Sequence, residues 1–192
     1  GRTTLVDLDI VNPYFRSGEK AEMMRAAGIR TLMPTYAMTT VDIPALPAEI
    51  QSVFEMPADK TIFDVGGDDT GAAALGRFYP AFMARREQTA MAFVINCMRP
   101  LTRESDEIVE LAQRVRNRGR LCFDLLINNT NLADQTEPDM VERGEEIVLR
   151  CAEKLGVSQV LTTGTETVLS GCRLRTPALR VKRYMQPEWM ES

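Results

Sequence analysis

The chain has 192 residues, 44% of them hydrophobic and 26% charged, with 27 acidic against 23 basic side chains for a net charge of −4. That balance is ordinary for a globular protein, and it excludes a sequence-independent grip on the nucleic-acid backbone as the main activity. There is no histidine, so Ser-His-Asp and Cys-His catalysis, imidazole metal sites and imidazole pH switches are excluded together.

Five apolar runs come in chain order: Thr4–Leu8, Ile29–Met33, Thr61–Val65, Ala90–Ile95 and Leu121–Ile127. They are near-continuous rather than alternating, the pattern of strands buried on both faces. Val157–Thr162 forms a sixth run, and Ala178–Val181 a short strand in a weaker tail that starts at Thr176. Stretches of helical period lie between them. In the clearest, Ser105 to Arg118, Ile108, Leu111, Ala112 and Val115 share a face, with Thr102 and Ser105 in the N-cap region and Gly119 as a stop. A second runs from Pro138 to Leu155 and is closed by Gly156.

Strand alternating with helix predicts an α/β fold, a mostly parallel sheet flanked by helices. The length predicts one domain over residues 1–192. No apolar run approaches the ~20 residues that cross a bilayer, and Gly1-Arg2-Thr3-Thr4 has no signal-peptide layout. A cytoplasmic protein without a membrane span is expected. Cys97, Cys122, Cys151 and Cys172 each adjoin an apolar run and form no C-x-x-C, so they read as small buried hydrophobes rather than zinc ligands or disulfides.

Open parallel sheets bind ligands at the carboxyl ends of their strands. Asp7-Leu8-Asp9 and then Asn12-Pro13 follow the first run, and Asp64-Val65-Gly66-Gly67-Asp68-Asp69 the third. Asn96 with Arg99-Pro100 follows the fourth, and Asn128-Asn129-Thr130-Asn131 the fifth. Acids and amides therefore gather at one sheet edge. Carboxylates at buried strand ends need a partner or an ion, and Mg²⁺ takes one or two carboxylates with water and phosphate oxygens. The plainer alternative is that these acids are helix N-caps or turn residues. Gly66-Gly67 equally reads as a tight strand-to-helix turn, one whose backbone amides an anion could approach.

The run Thr4-Leu5-Val6-Asp7-Leu8-Asp9-Ile10-Val11-Asn12-Pro13, followed by Ile62-Phe63-Asp64-Val65-Gly66-Gly67-Asp68, resembles the MinD/ParA/CobQ-type P-loop ATPases. More narrowly, Val41-Asp42-Ile43-Pro44-Ala45-Leu46-Pro47 and the segment from Ile95-Asn96 to Arg99-Pro100 are similar to an uncharacterised bacterial branch of them. The resemblance covers residues 2 to 165. It implies a P-loop NTPase-like fold of the SIMIBI type. It implies catalytic roles for Asp7 and Asp9, which match the acidic motif that positions the attacking water near Mg²⁺. Asp64 matches the Walker B aspartate on the metal, with Asp9 beside it. Gly66 and Gly67 match the turn that senses the γ-phosphate, and Asn128 the asparagine that reads the adenine edge. The implied chemistry is in-line water attack on ATP, in a switch that homodimerises with nucleotide and acts on an unknown protein partner, with no specific nucleic acid.

One departure is large. No G-x-x-x-x-G-K-[ST] occurs, and Lys stands only at 20, 60, 154 and 182. The expectation is that the first strand, the P-loop and the first helix, about 35 to 40 residues, are absent from this polypeptide. Unpaired backbone is then expected on Thr61–Val65 and Ala90–Ile95, and the chain alone should not bind ATP tightly. Two rivals stand beside this reading. Asp7-Leu8-Asp9-Ile10-Val11 also fits a haloacid-dehalogenase-type Mg²⁺ phosphatase with Asp7 as nucleophile and Asp9 as acid/base. A receiver-like binding module would instead take a phosphoryl group on Asp64, with Arg99-Pro100 in place of the usual Lys-Pro. The methionines read as core filling, and Arg114, Arg116, Arg118 and Arg120 as a solvated helix end. Arg173, Arg175, Arg180, Lys182 and Arg183 make a basic surface near the C-terminus.

Overall fold

A computed structural model describes residues 1–8, 21–32, 48–56 and 58–184. These form two compact units, Gly1–Ala81 and Phe82–Tyr184. In the first unit the elements run β1 (Thr3–Asp7), α1 (Ala21–Ala26), β2 (Ile29–Leu32), α2 (Ala48–Glu55), β3 (Lys60–Asp64) and α3 (Asp69–Gly76), and the boundary falls within α4 (Tyr79–Met83). The strands make an all-parallel sheet in the order β2-β1-β3, with Val6 opposite Leu32 on one side and Phe63 on the other. Val6, Leu8 and Ile50 are fully buried, with Val53, Phe54, Leu75 and Phe78 nearly so. Phe54 stacks on both Phe63 and Phe78, with ring centroids 5.4 and 5.6 Å apart. At Gly28, between α1 and β2, φ is +75°, a conformation that favours glycine.

The second unit runs β4 (Ala92–Ile95), α5 (Ser105–Gly119), β5 (Leu125–Asn128), α6 (Pro138–Leu155), β6 (Gln159–Gly164), α7 (Glu166–Leu169) and β7 (Ala178–Arg180). Its sheet is again all parallel, in the order β4-β5-β6-β7. Successive strands are laid down in one direction, so right-handed crossovers send α5 and α6 to the same face. The burial pattern agrees: Phe93, Ile95, Leu126 and Asn128 point to the covered face, while Ala92 and Val94 are exposed. Ile108, Ala112, Val141, Val148 and Cys151 complete that core, each fully buried.

The α/β class and parallel strands agree with the sequence reading, and four details differ. The strands sort into two sheets, and β3 and β4, the two runs expected to carry unpaired backbone, each end a sheet. β5 starts at Leu125, not Leu121, because the amides of Asp124 and Leu125 converge on the Met91 carbonyl at 2.9 and 3.3 Å. That convergence stops the ladder from extending upstream and leaves Cys122 exposed, whereas Cys97 and Cys151 are buried. All four cysteines are free thiols. Finally, Gly119 is the last residue of α5 and the left-handed cap is Arg120, with φ 58°. Gly156 does close α6, with φ 68°. Among the described residues no helix is long and apolar enough to cross a membrane.

Candidate functional site

The C-terminal ends of β1 and β3 bring Asp7 and Asp64 together. The two residues are direct register partners on adjacent parallel strands, so their Cα atoms lie about 4.8 Å apart and their side chains leave the same face of the sheet. Asp7 is 3% exposed, and the Leu8 amide donates to the Asp64 carbonyl at 2.7 Å, which carries the pairing one residue past the strand. Two residues separated by 57 positions in the sequence are thus neighbours. Asp9, the third acid of the expected set, lies outside the described residues, as do Asn12-Pro13 and Val41–Pro47.

The chain leaves β3 through Gly66 and Gly67 and enters α3 at Asp68. The Asp68 carboxylate accepts from the amides of Thr70 and Gly71 at 3.1 and 2.8 Å, so this acid is an N-cap. Two of the helix's first amides are therefore engaged, and a negative charge sits where a phosphate would otherwise approach the dipole. A Cβ on Gly71 would lie 2.2 Å from the Gly66 carbonyl oxygen, whereas one on Gly67 would meet nothing within 4 Å. The steric demand for glycine falls on Gly71, which sequence reasoning passed over. Gly67 is unobstructed.

In the second unit the strand ends build a polar knot. Asn128 is fully buried. Its amide nitrogen donates to the Val141 carbonyl at 3.1 Å and to Thr162 Oγ1 at 3.3 Å, and its oxygen accepts from the Thr130 amide at 3.2 Å. Offering its edge to a nucleobase would require giving up these bonds; in this conformation they tie β5 to α6 and β6. Thr162 continues to Thr176 at 2.8 Å, and the Thr176 hydroxyl donates to Glu145 at 2.7 Å. Glu145, 2% exposed, also accepts from the amides of Arg175 and Thr176 at 3.0 and 2.8 Å. Gly144 permits this closeness: a Cβ there would lie 2.2 Å from Thr130 Oγ1 and 2.8 Å from Asn128 Oδ1.

The knot also reaches Cys97, whose amide donates to Thr130 Oγ1 at 3.2 Å. Burial pushes the Cys97 thiol up, against a smaller pull from its bond with Thr130, and burial pushes Cys151 up to about 11. Neither is a poised nucleophile. Sequence reasoning placed Thr130 in the cluster after the fifth run but missed Gly144, Glu145, Thr162 and Thr176. The one readable signal was Gly144, since a glycine inside a long helix marks a close approach.

The donor set fits a hard cation in one way. Two carboxylates are what Mg²⁺ asks of a protein when phosphate oxygens and water complete its shell, and Asp7 with Asp64 supplies that number. Among the described residues no group of three or more His, Cys, Asp or Glu side chains is placed to hold a metal ion. Compared with known families and curated proteins, the chain matches no family model and no curated sequence.

Proposed function

We propose that the chain is the nucleotide-switch part of a P-loop ATPase of the MinD/ParA-like, SIMIBI type, with the Asp7–Asp64 strand ends on its magnesium side. One observation carries this reading: two aspartates from distant apolar runs are register partners at the carboxyl ends of adjacent parallel strands, where such sheets bind ligands. Asp64 and Asp9 would hold Mg²⁺, and Asp7 and Asp9 would orient the water that attacks the γ-phosphate of ATP in line. Mg²⁺, when bound, neutralises charge on the phosphate oxygens. Gly66 and Gly67 form the turn that follows the phosphate. Because Asp68 already caps α3, the cation rather than that helix terminus supplies the positive charge. ATP-dependent homodimerisation and release then act on a partner protein.

Among the described residues β3 ends its sheet, which supports a further part of this reading, in which a phosphate-loop strand pairs beside Asp64. The 192-residue chain alone therefore does not bind ATP with micromolar affinity. Calorimetric titration with Mg²⁺-ATP checks this, and a micromolar, Mg²⁺-dependent affinity refutes that part. The decisive test is the DNA preceding the Gly1 codon. A strand followed by a Gly-rich loop with Lys-Ser or Lys-Thr supports the ATPase. A stop or an unrelated segment overturns it, and p-nitrophenyl phosphate hydrolysis by wild type and Asp7→Asn then tests Asp7 as a phosphatase nucleophile. An ATPase fragment leaves that substrate intact.

A further inference from the structure

The turn between β3 and α3 is anchored at both ends. Before it, the Asp64 carbonyl accepts from the Leu8 amide at 2.7 Å. After it, the Asp68 carboxylate takes the Thr70 and Gly71 amides, and the Asp68 carbonyl takes the Ala72 amide at 3.0 Å. Between these anchors the turn rests against α3. Gly71 is buried, and a Cβ on it would lie 2.2 Å from the Gly66 carbonyl oxygen, 2.7 Å from its carbon and 2.8 Å from the Gly66 Cα. The Gly66 carbonyl therefore occupies the space that a side chain at position 71 would take.

A trans peptide group is planar, with its C=O and N–H antiparallel. Because the Gly66 oxygen sits against α3, the N–H that Gly67 contributes to the same peptide points away from the helix. Gly67 is exposed, and a Cβ there would meet nothing within 4 Å. Its N–H makes no hydrogen bond among the described residues. The next amides along, those of Thr70 and Gly71, are already taken by Asp68. The turn thus presents a donor with open space before it, three residues past Asp64.

We propose that Gly71 is the positioning residue of this turn. By admitting the Gly66 carbonyl it fixes the 66–67 peptide, and the Gly67 N–H so presented meets a phosphate oxygen beside a magnesium ion on the Asp64 side. This inference rests on the Asp7–Asp64 reading and adds to it which glycine the turn depends on. The adjacent Gly66-Gly67 pair draws the eye in the sequence, yet the geometry divides the roles differently. Gly67 supplies an N–H, which every residue but proline has, and its φ lies outside the left-handed region. Gly71 supplies the absence of a side chain. A methyl group there displaces the Gly66 oxygen, and the Gly67 N–H turns with it because the peptide is rigid.

The test is ¹H–¹⁵N NMR of the 192-residue chain with ~5 mM Mg²⁺ and inorganic phosphate raised to ~10 mM, against sodium chloride of equal ionic strength. The expected result is a saturable, Mg²⁺-dependent shift of the Gly67 amide. Gly67→Ala keeps the phosphate affinity within about twofold, and Gly71→Ala lowers it about tenfold or more. Mg²⁺ alone still raises the melting temperature of both variants, which separates a misplaced donor from a lost fold. A folded Gly71→Ala with wild-type phosphate affinity, or a folded Gly67→Ala without it, overturns the proposal. Should Gly71→Ala not fold, Gly67→Pro decides, since it deletes the donor and leaves Gly71 in place. Undiminished phosphate affinity in that variant, read from neighbouring amides, overturns the proposal, and its loss supports it. A wild type that responds to Mg²⁺ but not to phosphate overturns the proposal and leaves the Asp7–Asp64 reading standing. One that responds to neither refutes that reading and the proposal with it.

Discussion

Glu145 in the second unit and Asp7 in the first are almost equally buried, at 2% and 3% exposure, and a different neighbour stands beside each. Around Glu145 the chain arranges donors: the amides of Arg175 and Thr176, the Thr176 hydroxyl, and the Arg175 guanidinium at 3.9 Å. Beside Asp7 it sets a second carboxylate in direct register. The first arrangement satisfies a charge and fastens the 173–177 segment to α6. The second brings like charges together, which by itself opposes folding and makes sense where a cation or a reacting phosphate uses both. On the proposed reading, similar burial marks a fastening in one place and a ligand site in the other. The two regions should answer substitution with opposite signs.

The largest effect is expected at Gly144→Val. A side chain there enters space held by Thr130 and Asn128, with the Cβ alone 2.2 Å from Thr130 Oγ1. The shift breaks packing and buried hydrogen bonds together, and a loss of at least about 4 kcal/mol should appear in urea denaturation. Glu145→Leu comes next. It strands the amides of Arg175 and Thr176 without their acceptor, at a cost of about 3 kcal/mol. Were Glu145→Leu neutral, the carboxylate would not be a fastening and the contrast with Asp7 would fail.

How much of this was legible beforehand depends on the range of the interaction. The apolar runs report their own burial, so the parallel α/β class and the strand ends at Asp7 and Asp64 could be read directly. Gly156 ends α6 through its own backbone freedom, a local property, and was equally readable. The Asn128–Thr162–Thr176–Glu145 chain joins residues 14 to 34 positions apart through contacts made only after folding, and no local pattern announces it. Asn128 itself was read from a family likeness, and the structure turns its amide inward. Cys122 looked buried because its neighbours Leu121 and Phe123 are buried, but a residue between two inward-facing ones faces out.

A smaller effect tests the second unit by pH. Asp124 accepts from both terminal guanidinium nitrogens of Arg86 and from the Met91 amide. The hydrogen bond from Arg86 is the main reason its carboxyl lies below the ordinary value. A depressed acid contributes stability that is complete above its unfolded pKa, about 3.9, and is lost as pH falls through the lower folded value. The pair is partly exposed, 39% and 31% for the two side chains, so the contribution stays within about 1 kcal/mol. Asp124→Asn should therefore flatten the acid limb of a stability–pH curve and leave the curve above pH 5 displaced by no more than that amount.

The smallest change in stability is expected at Asp64→Asn, and its sign separates the two regions most cleanly. Neutralising one of two adjacent carboxylates removes a like-charge repulsion, and the amide keeps the size of the side chain. Urea unfolding should shift by no more than about 0.5 kcal/mol, and toward greater stability. Ligand response should move the other way. Mg²⁺ at ~10 mM should raise the melting temperature of the wild-type chain, because a ligand of the folded state alone adds stability by mass action, and Asp64→Asn should abolish that rise. A folded Asp64→Asn variant that still responds to Mg²⁺ would remove the cation from this strand end. If Asp64→Asn instead destabilised the chain as much as Glu145→Leu, the pair would be a second fastening, and the difference between the two buried carboxylates would reduce to the donors that each one has found.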